Sequence, residues 1–261
     1  MKFERPPVVE VVLSVSFALP KPLQSAHIGL FWNEIKGDYP DMRDVAPLNL
    51  TLEGTTTGIT DAEVQVMQLP PLRRSWFVSA DGRNLVQLQE DRFIYNWKRV
   101  DEKDAYPSYE KIFAEFSKEV ERFIKFLDVQ QLGDLSVLQL ELAYVNHIEQ
   151  KSDFLSADRM FIDHYRNTSN HRFLPMPESF RWNSTYALPY RVGRLHIVAQ
   201  NARLSTTGES VIRVDLTARG LPVDTSLEDC KRWFDIAHTW ITQGFADITS
   251  PDLHNSWGRT Q

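Results

Sequence analysis

Two long amphipathic helices, each preceded by a run of short alternating strands, constrain this chain more than any other feature. From Tyr109 to Leu127 the apolar residues Ile112, Phe113, Phe116, Val120, Phe123, Ile124 and Leu127 recur at helical spacing, with Lys and Glu between them. From Ser226 to Phe245 a second stripe runs through Leu227, Cys230, Trp233, Phe234, Ala237, Trp240 and Ile241. Pro107 and Ser108 open the first helix, and Ser226-Leu227-Glu228-Asp229 gives the second an acidic variant of a capping box. A helix with such a stripe must bury it against another layer, and the preceding strands supply that layer.

The strands read from period-two alternation and turn residues. Val8 to Leu19 is β-branched and closes at Pro20 and Pro22; a helix follows over Leu23 to Tyr39. Asp41 to Thr60 reads as a loop with an edge strand at Leu48 to Leu52, and Glu63 to Leu69 as a short strand. Arg74 to Ala80, Leu85 to Gln89 and Arg92 to Lys98 form a meander turned by Asp81-Gly82 and Glu90-Asp91. In its last strand Phe93, Tyr95 and Trp97 share one face, and Arg92, Asn96 and Lys98 the other. After Gly133 the order begins again. A strand spans Ser136 to Ile148, a helix Asp153 to Tyr165, an irregular stretch His164 to Ser179. Three strands, at Phe180 to Pro189, Arg194 to Ala202 and Glu209 to Arg219, then precede the last helix.

These elements define an α+β fold of two similar halves, 1–133 and 134–261, each strand, helix, antiparallel meander and long helix, joined in one compact unit. The order of elements is the warrant, since the halves share no residue motif.

Composition bounds the function. Acids outnumber bases 35 to 29, for a net charge of −6, which disfavours general affinity for nucleic acid. A single cysteine, no apolar run of roughly 18 residues and no signal peptide together predict a cytoplasmic protein that does not span a membrane. None of the 11 glycines falls in a dinucleotide or phosphate-loop motif, and there is no G-x-S-x-G elbow. The seven histidines show no metal-ligand spacing, and Cys230 lies on an apolar stripe beside Glu228 and Asp229, which oppose a thiolate. The sequence therefore predicts no catalytic residue, no metal and no cofactor.

The basic-aromatic segment from Arg73 to Arg99 is the best candidate surface, although its alternation matches a core face backed by a solvated one. Trp32, Trp97, Trp233 and Trp240 fall on core stripes. Trp76, Trp182 and Trp257 do not, and with Arg73 and Arg74 they form the candidate binding residues.

Arg5-Pro6-Pro7-Val8-Val9-Glu10-Val11, the block from Leu85-Val86-Gln87-Leu88-Gln89 through Asp91-Arg92-Phe93 to Asn96-Trp97-Lys98, and Tyr106-Pro107-Ser108-Tyr109 resemble a sporadically distributed bacterial family of about this length. The resemblance covers most of the chain, with its motifs in the first half. It implies a bacterial cytoplasmic protein and supplies no catalytic residues. Its patchy occurrence implies an accessory system of the defence or toxin–antitoxin kind. Within that block Gln87, Gln89 and Asn96 fit either an interaction surface or ordinary exposed strand positions.

Three functional expectations follow. The leading one is a non-enzymatic interaction or regulatory protein that grips a protein partner between sheet and helix. The second is small-molecule or peptide binding in an apolar, aromatic-lined cavity between the same layers. The third is an enzyme whose site assembles around Asp163, His164 and His171 in the irregular segment.

Overall fold

The β-branched and aromatic runs pair into one continuous sheet rather than two. The computed structural model describes residues 3–53, 72–101, 103–149, 179 and 181–260. Among these the chain runs β1 (Val8–Ala18), α1 (Ser25–Ile35), β2 (Asp41–Val45), β3 (Arg74–Val78), β4 (Asn84–Gln89), β5 (Arg92–Lys98), α2 (Tyr109–Val129), β6 (Ser136–Glu149), β7 (Arg181–Ala187), β8 (Gly193–Arg203), β9 (Ser210–Gly220), α3 (Leu227–Ile248) and α4 (Pro251–Ser256). Helix and antiparallel sheet together give the α+β class that the patterning predicts.

The nine described strands lie in the order β2-β3-β4-β5-β1-β6-β9-β8-β7, every neighbouring pair antiparallel. β1 and β6 meet at the centre, Leu13 opposite Leu142, where the halves would otherwise have ended in two open edges. From that seam the order is β5, β4, β3, β2 on one side and β9, β8, β7 on the other. α2 packs over β5 and β1, and α3 over β6, β9 and β8.

One face of the sheet carries the core. A register row through Phe77, Val86, Tyr95, Leu13, Leu142, Ala218 and Leu195 points at the helices and is buried throughout. Phe123 of α2 sits over it, its ring centroid 5.5 Å from Phe17, 5.4 Å from Phe31 and 5.2 Å from Phe93. In the other half Trp233 is buried and donates its indole N–H to the Val192 carbonyl at 2.9 Å. Gly193 and Gly220 pair there so closely that a Cβ on Gly193 would lie 2.0 Å from the Arg219 carbonyl oxygen. Trp32, Trp97 and Trp240 belong to the core or pack against it.

Besides the single sheet, two described elements depart from the sequence reading. The first edge strand is Asp41–Val45, and Leu48 to Leu52 is not a strand. A polar strand such as β2 is held by backbone pairing to β3, which side-chain periodicity does not register. The segment 46–53 instead crosses the helix-free face, pinned by side chains. The Gln89 amide accepts from Leu48 N and donates to Leu48 O at 2.8 and 2.9 Å, and the Gln139 amide accepts from Glu53 N at 2.7 Å and donates to Thr51 O at 3.0 Å. The second departure is α4, a short helix whose Ser250 side chain caps Leu253 N and whose first residue is Pro251. The expected strand at Glu63 to Leu69 and helix at Asp153 to Tyr165 lie outside the described residues. No described helix is long and apolar enough to cross a membrane.

Candidate functional site

A cavity of about 310 Å³ opens on the helix side of the sheet, where β1 starts, α2 begins and α3 passes over β6 and β9. Its volume falls within the range of small-molecule sites, roughly 300–1,000 Å³. Three of the polar wall residues show how the fold places them. Tyr144 shares the helix-facing row with Val11 and Leu216, so alternation along β6 aims it at the helices. Tyr109 begins α2 and His238 lies two turns before the core residue Phe245 on α3, so both descend into the gap between helix and sheet.

The tyrosines interlock. The Tyr106 and Tyr144 hydroxyls are 2.9 Å apart and hydrogen-bond to each other, and Tyr106 packs edge-on to Trp97 at 5.6 Å. Tyr109 lies flat on the His238 imidazole, ring centroids 4.0 Å apart and planes within 5°, and donates its hydroxyl to Asp235 Oδ1 at 3.1 Å. Burial pushes Tyr106 up to about 12 and raises Tyr144 and Tyr109 as well, with the Asp235 carboxylate adding to Tyr109. Burial also holds His238 below the usual imidazole range. At neutral pH the phenols on the wall are therefore protonated and the His238 imidazole is neutral, and Ser108, Asn146, Thr242 and the exposed Glu110 complete its polar lining. His238 makes no side-chain hydrogen bond to any described residue, so one ring nitrogen can donate and the other accept.

Ser108, also on the wall, has φ +91° and makes no capping bond with its side chain. A non-glycine residue held there carries backbone strain of the kind that collects at ligand sites. Behind the cavity Trp257 stacks on the wall residue Phe245 at 5.3 Å and meets Phe3, also on the wall, edge-on at 5.6 Å.

The sequence-derived candidates separate in space. Arg74 and Trp76 come together on the helix-free face, where the Trp76 ring lies between the Arg74 guanidinium at 5.7 Å and the Lys98 ammonium at 5.1 Å. Arg73 precedes β3 and is exposed. Trp182 is half-buried on β7, opposite Ala199, and packs against the core. Trp257 is buried behind the cavity, and Asp163, His164 and His171 lie outside the described residues. Cys230 is half-buried, and burial with the Asp229 carboxylate raises its thiol. Among the described residues no group of three or more His, Cys, Asp or Glu could hold a metal ion.

Gln87, Gln89 and Asn96 are buried, not exposed strand positions. A hydrogen-bonded chain runs from Arg74 through Gln87 (3.0 Å) and Asn96 (2.6 Å) to Glu10 (2.7 Å), which lies 3.5 Å from Lys98. None of the cavity residues Tyr106, Tyr109, Tyr144 and His238 is among the sequence-derived site candidates, although Tyr106 and Tyr109 bound the Tyr106-Pro107-Ser108-Tyr109 motif. Their only local signal is two tyrosines flanking a helix start and a histidine beside an apolar stripe. Comparison with family models, with curated proteins and with solved structures finds no match to this chain.

Proposed function

We propose that this chain is a non-enzymatic binding protein whose ligand is a small, uncharged, partly aromatic molecule held in the Tyr106–Tyr109–Tyr144–His238 cavity. The observation that carries this reading is the half-buried imidazole of His238, stacked on Tyr109 and with no side-chain hydrogen bond among the described residues, facing the same cavity as two linked tyrosine hydroxyls. A carbonyl or hydroxyl on the ligand would meet both donor and acceptor there, and its flat body would meet Tyr and Phe rings. Volume supports the small molecule over a gripped partner: about 310 Å³ is at the size of a small-molecule site and below that of a peptide strand with side chains. Catalysis is not favoured, because no described group orients the imidazole as the partner of a general base would.

Two broader statements accompany this reading. Strand order running outward from the β1–β6 seam, and a long helix over each flank, support an internal duplication with residues 1–133 and 134–261 as its halves. The cytoplasm and an accessory system, as the family resemblance implies, are where we place the protein.

The test is a thermal-shift and calorimetric titration with phenol, benzamide and indole. We expect saturable binding of at least one probe to the native chain and its loss in Thr242→Phe, which fills the cavity from α3. A Thr242→Phe protein that binds all probes as the native chain does would remove the cavity from consideration.

The imidazole also sets a pH dependence. His238 is depressed in the folded state and takes up its proton near pH 6.5 when unfolded. Below that pH the unfolded chain binds more protons, so acidification favours it. His147 and His254 are depressed as well and add to the slope. The melting temperature is expected to fall between pH 7.5 and 5, and less steeply in His238→Asn; equal slopes would show that His238 is not shifted.

A further inference from the structure

The face of the sheet turned away from the helices carries two arginines, Arg74 and Arg92, that have no ion-pair partner among the described residues. Ser75 pairs with Leu88 and Gln89 with Arg92, which sets Arg74 and Arg92 on either side of Gln89 and on the same face. Arg74 gives one Nη to Gln87 at 3.0 Å, and Arg92 gives one Nη to the Asn49 carbonyl at 3.4 Å. Neither has a carboxylate within 4.0 Å among the described residues, although the chain has more acids than bases. The Nε of each is buried and unpartnered, and so is the neighbouring Trp76 indole nitrogen.

An arginine in open solvent needs no partner, but a buried guanidinium N–H does, because leaving it unmatched forfeits the hydrogen bond it made to water. The obvious neighbours are committed elsewhere. The Gln89 amide is used by Leu48 and Asp91, and Glu53, the one acid on the crossing segment 46–53, is taken by Arg194 and His196 on β8. Water could satisfy the hydrogen bonds but not the doubled positive charge. An oxyanion satisfies both, because its oxygens accept from guanidinium and indole donors while its charge offsets the two arginines.

We propose that Arg74, Arg92 and the Trp76 indole N–H form an oxyanion site on the helix-free face, suited to a phosphate monoester or a carboxylate. The site is separate from the cavity under α2 and α3 and does not depend on it. It also gives the basic-aromatic segment a role other than base stacking, since its aromatics at Phe93, Tyr95 and Trp97 face the core.

The experiment is a titration of the full chain with inorganic phosphate and, separately, with acetate, at constant ionic strength set by chloride. The readouts are melting temperature and calorimetric heat, with far-UV circular dichroism confirming the fold of each variant. We expect a saturable response, weakened at least tenfold in Arg74→Gln and in Arg92→Gln, and unchanged in Arg73→Gln, whose arginine is exposed next door. The stronger of the two anions names the source. No saturable response to either anion overturns the site, and so does an equal loss in Arg73→Gln, which would reduce it to diffuse attraction.

Discussion

Phe123→Ala is expected to cost about 3–5 kcal/mol of folding stability, the usual loss for a fully buried phenylalanine. The side chain has no exposed surface and touches three rings that belong to three different elements: Phe17 on β1, Phe31 on α1 and Phe93 on β5. Truncation would leave a void bounded by rigid rings, which relax into it less readily than aliphatic chains, so the cavity contribution stays near its full size. In a chain of this length each kcal/mol moves the melting temperature by roughly 2–4 °C. Chemical denaturation should show a lower midpoint with an unchanged slope, because the surface exposed on unfolding is nearly the same. Phe123→Leu keeps most of the volume and should lose about half as much or less. A loss below about 1 kcal/mol in Phe123→Ala would mean that this cluster does not clamp α2 to the sheet.

That cluster also shows what the amino-acid order makes visible. Phe123 sits on a stripe of period 3.6 and Phe93 on a strand of period 2, so each declares its buried side locally. The meander from β3 to β5 and both long helices were legible for this reason. The β1–β6 seam was not, because the pairing of Leu13 with Leu142 joins residues far apart in the chain and turns two expected sheets into one. β2 is an edge strand of polar residues, and the extended path of 46–53 is fixed by the amides of Gln89 and Gln139 rather than by a ladder.

The candidate sites divide in the same way. Arg74 and Trp76 were marked by composition, and the structure sets them side by side. What composition could not mark was Arg92 coming within reach of the same patch from two strands away. The cavity depended on tertiary placement entirely: Tyr109 and His238 are separated by the second half of the chain and stack at 4.0 Å. A polar residue inside a strand, such as Asn96, reads as solvated until the covering groups are known. Its burial depends on Gln87, Glu10 and whatever lies over that face, none of which its own neighbours in sequence encode.

Removing the arginine that faces a buried carboxylate is the second large effect, and its pH dependence makes it specific. Glu119 on α2 has no exposed surface, and its two oxygens are 3.3 and 3.2 Å from Arg122 Nη1. The same guanidinium reaches Asp38 at 2.7 Å and the Glu34 carbonyl at 3.1 Å, tying α2 to the end of α1. Burial raises the Glu119 pKa, while Arg122 and the Lys118 ammonium, 3.7 Å away, oppose the rise. Losing one partner of a buried ion pair typically costs 3–5 kcal/mol, and with Lys118 retained and Arg122 partly exposed we expect about 3 kcal/mol for Arg122→Ala at pH 7. In that variant the folded Glu119 pKa moves further above its unfolded value. A group raised in this way favours folding below the unfolded pKa and loses that contribution as pH rises through the folded one. The deficit should therefore be largest at neutral pH and shrink toward pH 5. Glu119→Leu added to Arg122→Ala should restore most of the loss, because a leucine there needs no counter-charge. Urea denaturation of the two variants at pH 7 and pH 5 decides the matter. A deficit that is the same at both pH values, or that Glu119→Leu leaves in place, would assign the role of Arg122 to its α1 contacts alone.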